Sequence, residues 1–253
     1  MYLSWFGIIR LGFIQMALGS LVSIAASTFN RVMVVELSLL QIIPGLLLAL
    51  HYFIQISRPN WGFLSDKGGN RTFWIIIGVI ILCLGSVLAC IGILLIPENY
   101  LFGLTISIFA YTLIGIGVGA SGTSLLAFLA TRTDNSKKAA AATITWIMMI
   151  FGAAFTAIFV GKIIDPYSIE KLLKIVTIIS LFWIITSFIT LYKLENTHKQ
   201  KVLDRFEPVS VTFYQGLKQV LLEQNTRWFA IFVFLSMTAY FMQEPILEPY
   251  AGL

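Results

Sequence analysis

The chain has 253 residues, of which 58% are apolar and only 11% charged, with a net charge of +5 and a mean hydropathy of +0.89. A water-soluble domain of this length needs a charged coat, so the composition excludes an ordinary soluble fold and makes lipid the solvent. The Lys and Arg residues fall in short patches between apolar runs, as topology signals do, which argues against nucleic acid as a partner.

A membrane helix needs about 20 mainly apolar residues. Uncharged runs occur at 12–30, 37–57, 72–97, 99–131, 139–161 and 175–192, and a seventh spans 228–243 and continues past Glu244. Backbone polar groups in hydrocarbon must be satisfied within the segment, so these runs predict helices. The first run follows Arg10 and carries Ser27 after Ala25 and Ala26, a faint likeness to a signal peptide. Six further runs favour a retained first helix. Just beyond it, Glu36 is positioned to pair with Arg31. Cys83 and Cys90 lie seven residues apart in the third run, about 10.5 Å of helical rise, too far for a disulfide, and no metal motif has this spacing.

With the N-terminus placed in the cytoplasm, 13 of the 17 basic residues fall on the cytoplasmic side and four (Arg31, Lys162, Lys171, Lys174) on the other. This positive-inside bias predicts a cytoplasmic N-terminus. The organisation expected is a six-helix bundle over 1–192, a cytoplasmic linker over 193–226 and a seventh helix over 227–253. Within the linker, Phe213, Leu217, Val220, Leu221 and Gln224 stand at helical spacing, which suggests an amphipathic helix on the membrane face. A plain linker is the alternative. The seventh helix has no partner repeat, so a six-plus-six architecture cut after its seventh helix is the simpler expectation.

Polar residues inside membrane helices are costly and are functional candidates by default. The uncharged runs two to six hold no Asp or Glu. Gln15 lies in the first helix, and His51 lies in the second with Gln55 one turn on. Neutral imidazole is a good axial ligand for a metal-centred macrocycle. A histidine bonded to its neighbouring Gln is the structural alternative. In the seventh helix Gln243, Glu244 and Glu248 flank Pro245 and Pro249, a broken polar segment suited either to lining a cavity or to capping the membrane exit.

Gly117-Val118-Gly119-Ala120-Ser121-Gly122 matches the dinucleotide-binding fingerprint, but it sits in an uncharged membrane run with no preceding strand. Gly115, Gly119 and Gly122 are read instead as a small-residue stripe for close helix packing, with Gly152, Ala153 and Ala157 as the expected facing surface. Trp61-Gly62-Phe63-Leu64-Ser65-Asp66-Lys67-Gly68-Gly69-Asn70-Arg71-Thr72 occupies the predicted loop between helices two and three. It resembles the major-facilitator signature of that loop, with Asn70 where a basic residue is usual. Gly62 permits close approach of helix ends and Gly69 a tight turn. Asp66 is placed to cap a helix or pair with a cation, and Lys67 and Arg71 hold the loop on its side. The motif supports conformational gating and says nothing of substrate.

Several stretches are more specific. They are residues 10–19 and 28–33, Ala49-Leu50-His51-Tyr52 with Ser57-Arg58-Pro59, 61–66, 116–126, 239–244 and 246–252. Together they resemble the PucC/LhaA family, the bacteriochlorophyll or chlorophyll delivery branch of the major facilitators. The resemblance implies an all-α membrane bundle of major-facilitator type, the first six helices plus the seventh of a twelve-helix family. It implies a multi-pass inner membrane of a photosynthetic prokaryote, a role in assembling light-harvesting complexes and no enzyme activity. Partners implied are antenna polypeptides, (bacterio)chlorophyll or a precursor, and the lipid bilayer. No tightly bound cofactor or metal is expected, and pigment is a possible ligand. A secondary transporter of another small molecule, or a non-transporting scaffold for antenna polypeptides, are the other readings.

Overall fold

The structure, a computed structural model, describes residues 2–67, 70–194, 214, 215, 218 and 222–241. The chain divides into two compact units, Met1–Glu207 and Pro208–Leu253. The regular elements among the described residues are all helices, with no strand.

In the first unit α1 runs Trp5–Glu36. Ser4 caps it by accepting from the Gly7 amide at 3.2 Å. It extends well beyond the uncharged run, and Arg10, half-buried within it, bonds to backbone carbonyls. Its Nε donates to Thr190 O at 2.7 Å and its Nη2 to Tyr192 O at 2.6 Å, carbonyls at the C-terminal end of α7 (Ile169–Leu191). Those carbonyls lack helical partners and carry the negative end of the dipole. Two π-turns, Ile24–Thr28 and Val32–Glu36, widen the second half of α1. The buried Tyr111 hydroxyl donates to Ala25 O within the first of them at 3.0 Å. Helix α1 ends where Ser38 adopts the left-handed conformation, φ 51°. The expected Arg31–Glu36 pair does not form. Arg31 is committed elsewhere, to Asp165 at 2.9 Å.

The second crossing is composite rather than one run over 37–57. Helix α2 (Ile42–Ile54) passes through a 3₁₀ turn, Gln55–Ser57, into α3 (Arg58–Lys67). Pro59 explains the turn. It has no N–H for Gln55 O, so the Arg58 amide closes the tighter bond to that carbonyl. Much of the predicted loop, from Trp61 to Lys67, is thus helix. Helices α4 (Arg71–Leu95) and α5 (Tyr100–Arg132) are capped by Asn70 and Asn99, which accept from Phe73 N and Phe102 N, each at 3.2 Å. Helix α6 is Lys138–Ile164, and Ser168 caps α7. Five helices, α1 and α4 to α7, are each long and apolar enough to cross a membrane. In the second unit α8 (Gln224–Phe241) begins before the predicted 228. The amphipathic positions Phe213, Leu217, Val220 and Leu221, with Gln243, Glu244 and Glu248, lie outside the described residues.

Between hydrocarbon-solvated helices, packing rather than water exclusion drives association, so small residues mark the seams. Helices α4 and α5 pack antiparallel on a seven-residue step. Gly78 faces Ser121, Gly85 faces Ile114, and Gly92 faces Ser107. From the other side Gly117 faces Leu82 and Gly103 faces Ile96. At Gly117 an added Cβ would stand 2.5 Å from Leu82 N and 2.7 Å from Gly78 O, so backbone lies on backbone. Helices α1 and α6 run parallel, with Gly12 against Met148, Met16 against Gly152, and Ser20 bonded to Thr156. The composite α2–α3 and α5 also run parallel, His51 and Ile54 beside Gly115 and Gly62 beside Thr123. First crossing with fifth is therefore matched by fourth with second, the pairing of an inverted three-plus-three repeat. Outside, Phe151, Phe155 and Phe159 stack along α6, and Ile178, Leu181, Phe182 and Ile185 line α7, apolar surface that suits lipid. Cys83 and Cys90 are free and buried.

Candidate functional site

Three groups of polar side chains stand out in the first unit. The first is the expected gating motif. Asp66 Oδ1 accepts from Arg71 Nε at 3.1 Å and from Nη2 at 2.5 Å. Arg71 Nη1 donates to Ala127 O at 2.8 Å and also bonds Thr131 Oγ1. One guanidinium thus ties the end of α3, the start of α4 and the last turns of α5 together. Gly62 has the close approach expected of it, since a Cβ there would stand 3.2 Å from Thr123 Cγ2 of α5. Lys67 ends α3 in an exposed position, and Gly69 lies outside the described residues.

The second group is a row on α2 and α3. His51 is fully buried, its Nε2 2.8 Å from Gln55 Nε2, and Arg58 Nη2 donates to Gln55 Oε1. A guanidinium has only donors, so Oε1 faces Arg58 and the Gln55 amide nitrogen donates to His51 Nε2. The imidazole therefore carries its proton on Nδ1. With its Nε2 lone pair engaged, His51 is a hydrogen-bonded core residue in this conformation rather than a free axial ligand. Sequence reasoning paired His51 with Gln55 but placed Arg58 in the loop. The spacing 51, 55, 58 is one helical face, and it was the available signal. One turn away along α2, Ile43, Leu46, Leu47 and Leu50 form an apolar groove of about 280 Å³ with Leu104 and Ile108 of α5. Gln15 is buried elsewhere on α1, its Oε1 without a partner among the described residues.

The third group had no sequence signal. Trp183 Nε1 donates to Ser20 Oγ at 2.9 Å, and Ser20 Oγ lies 2.7 Å from Thr156 Oγ1, joining α1, α6 and α7 in the bundle interior. The glycine stripe is real but faces another way. Gly115 packs on His51 O and Ile54, Gly119 on Trp61 and Arg58, and Gly122 on Leu18. Gly152 is taken up by Met16 of α1, so it does not face the stripe. Parallel pairing brings fourth to second and fifth to first, which a linear reading does not reveal.

A glycine-seamed bundle of long apolar helices, paired as inverted repeats, is a polytopic α-helical membrane protein. The chain belongs to the PUCC protein family, whose model matches residues 28–253. It is 50% identical, over its whole length, to the bacteriochlorophyll synthase 44.5 kDa chain of Rhodobacter capsulatus, covering 58% of that protein. It is 25% identical to protein PucC of Cereibacter sphaeroides, with 97% of this chain matched to 56% of that one, and 22% identical to protein PucC of Rhodobacter capsulatus at 97% and 56%. The chain thus spans a little over half the length of these relatives. No solved structure matches it.

Proposed function

We propose that this chain is part of a membrane assembly factor for photosynthetic light-harvesting complexes, one that handles or delivers (bacterio)chlorophyll to antenna polypeptides. The observation that carries the reading is the 50% identity along the whole chain to a protein named for bacteriochlorophyll. The apolar groove between α2 and α5 supports it, because a lipid-facing slot of aliphatic side chains suits a hydrocarbon tail. The bundle's lack of Asp and Glu in runs two to six suits a large apolar cargo better than a small polar one. The residues we assign to cargo or cavity are Gln15, His51, Gln55, Gln243, Glu244 and Glu248. Gly62, Asp66, Lys67, Gly69 and Arg71 are assigned to gating. The arrangement proposed is the six-helix bundle over 1–192, the linker over 193–226 and the helix of 227–253, in an inner membrane with the N-terminus cytoplasmic.

The name of the most similar relative just given contains "synthase", whereas we assign handling and not synthesis. Purification of the full-length protein in mild detergent from a pigmented host tests both points. Bound pigment or co-purifying antenna polypeptides support the reading, and the absence of both overturns it. Pigment whose mass is changed by the purified protein would replace handling with catalysis.

A further inference from the structure

The row on α2 and α3 ends in a cation with no counter-charge among the described residues. Arg58 is half-buried and forms no ion pair among the described residues, and its Nε is buried without an acceptor. His51 Nδ1, which the network protonates, is likewise buried without one. Two donors on one helical face are therefore without acceptors among the described residues. An unpaired buried donor or cation is destabilising, so this face favours a bound acceptor.

The side chain also points the wrong way for a topology signal. A snorkelling Arg extends toward the nearer interface. Arg58 instead reaches back one turn to Gln55, away from the Asp66–Arg71 clasp at the other end of α3. Its Cγ lies near Gly119 on α5, eight residues before Ala127, where Arg71 binds. Eight residues of helix place it about 12 Å membrane-ward of that clasp.

We infer that Arg58, oriented by Gln55, binds the oxyanion of an amphiphile, a carboxylate or phosphate head whose apolar body lies along α2 and α5. Guanidinium is the side chain that pairs such groups through parallel N–H donors, and Gln55 occupies only one of its nitrogens through a bond shown here. Two sources carry this chemistry: the free acid of a tetrapyrrole, and an anionic phospholipid. The first rests on the pigment reading above, and the second does not.

The full chain is placed in phosphatidylcholine nanodiscs and titrated with pheophorbide a and with its methyl ester, which share a metal-free macrocycle and differ in one carboxylate. In parallel, discs containing phosphatidylglycerol are examined for retained lipid by native mass spectrometry. A tetrapyrrole source predicts that the acid binds roughly tenfold tighter than the ester. Arg58→Gln erases that preference and Arg58→Lys keeps part of it. A lipid source predicts phosphatidylglycerol retained by the native protein and lost in Arg58→Gln. The acid–ester comparison uses native protein alone, so a folding defect in a variant does not decide it. If neither tetrapyrrole binds, the pigment reading suffers and the lipid arm decides this proposal. Acid and ester binding alike, together with phosphatidylglycerol retention unchanged in Arg58→Gln, would overturn it.

Discussion

Replacing Gly117 by Ala, with Gly161→Ala as its companion, gives two chemically identical changes for which the structure predicts opposite signs. In a helix interior the change from Gly to Ala contributes about 1 kcal/mol from backbone entropy. At Gly161 nothing lies within 4 Å of the added Cβ, so that gain stands unopposed. At Gly117 the methyl meets Leu82 N at 2.5 Å and Gly78 O at 2.7 Å. Ordinary contact begins near 3.4 Å, so α4 and α5 must separate by the better part of an ångström. Neither obstacle can rotate aside, because both are backbone. Overpacking of this kind costs about 1–3 kcal/mol, and it acts on a seam whose other glycines depend on the same separation. The net expectation is destabilisation of up to roughly 2 kcal/mol at Gly117 and stabilisation of up to about 1 kcal/mol at Gly161. Unfolding in mixed dodecylmaltoside–dodecylsulfate micelles, followed by loss of helical circular dichroism, gives both midpoints. A Gly117→Ala midpoint at or above that of Gly161→Ala would refute the backbone-contact account of the seam.

Ser20→Ala should lower stability by about 0.6–2 kcal/mol, because Trp183 Nε1 loses its acceptor while Thr156 can turn to its own helix. A double-mutant cycle with Trp183→Phe should return most of that loss as coupling; additive effects would remove the bond from the account. Arg71→Ala should open the clasp far more than Asp66→Asn, since Arg71 also holds Ala127 O and Thr131, whereas the pair itself is partly exposed. Alkylation of a cysteine placed at Thr133 should quicken in the first variant and change little in the second. Asp134 accepts from the Ser136 amide and hydroxyl, which holds its carboxyl below the usual carboxylate range. The stabilisation is present above the unfolded value near 3.9 and fades as pH falls through the lower folded value. Thermal midpoints taken from pH 5 downward should therefore drop more steeply in the native chain than in Asp134→Asn.

Lipid made the helices legible, because a run of 20 apolar residues has no other stable form in hydrocarbon. Side-chain caps at Ser4, Asn70, Asn99 and Ser168 fix where several begin. The break at Gln55 was readable from Pro59, but the uncharged run concealed it. Pairing of Asp66 with a cation was one of two roles expected of it, but neither Arg71 as that cation nor its anchor on α5 was anticipated, since no pattern links residues 56 and 60 positions apart. Counting basic residues by side assigns a residue and not a direction, so Arg58 went unnoticed. The heptad of Gly78, Gly85 and Gly92 lay in plain view but acquires meaning only beside its answering heptad, Ser107, Ile114 and Ser121. Ser20, Thr156 and Trp183 are ordinary letters until the fold brings them together.

The α4–α5 seam also orders events during synthesis. Its two helices are joined by a turn of four residues after Leu95, closed by the Asn99 amide on Leu95 O at 2.9 Å. So short a connection makes the hairpin's loop-closure cost small, and it can pack as soon as both arms have entered the bilayer. Helix α1 has no such neighbour. Its matching residues on α6 emerge 136 positions later, as the Ser20–Thr156 pair records. Throughout that interval α1 must hold Ser20 and Arg10 in or near the membrane without their eventual partners. Helix α1, made well before α6, is thus secured late, and it is the element for which an insertion chaperone or a slow ribosome would matter most.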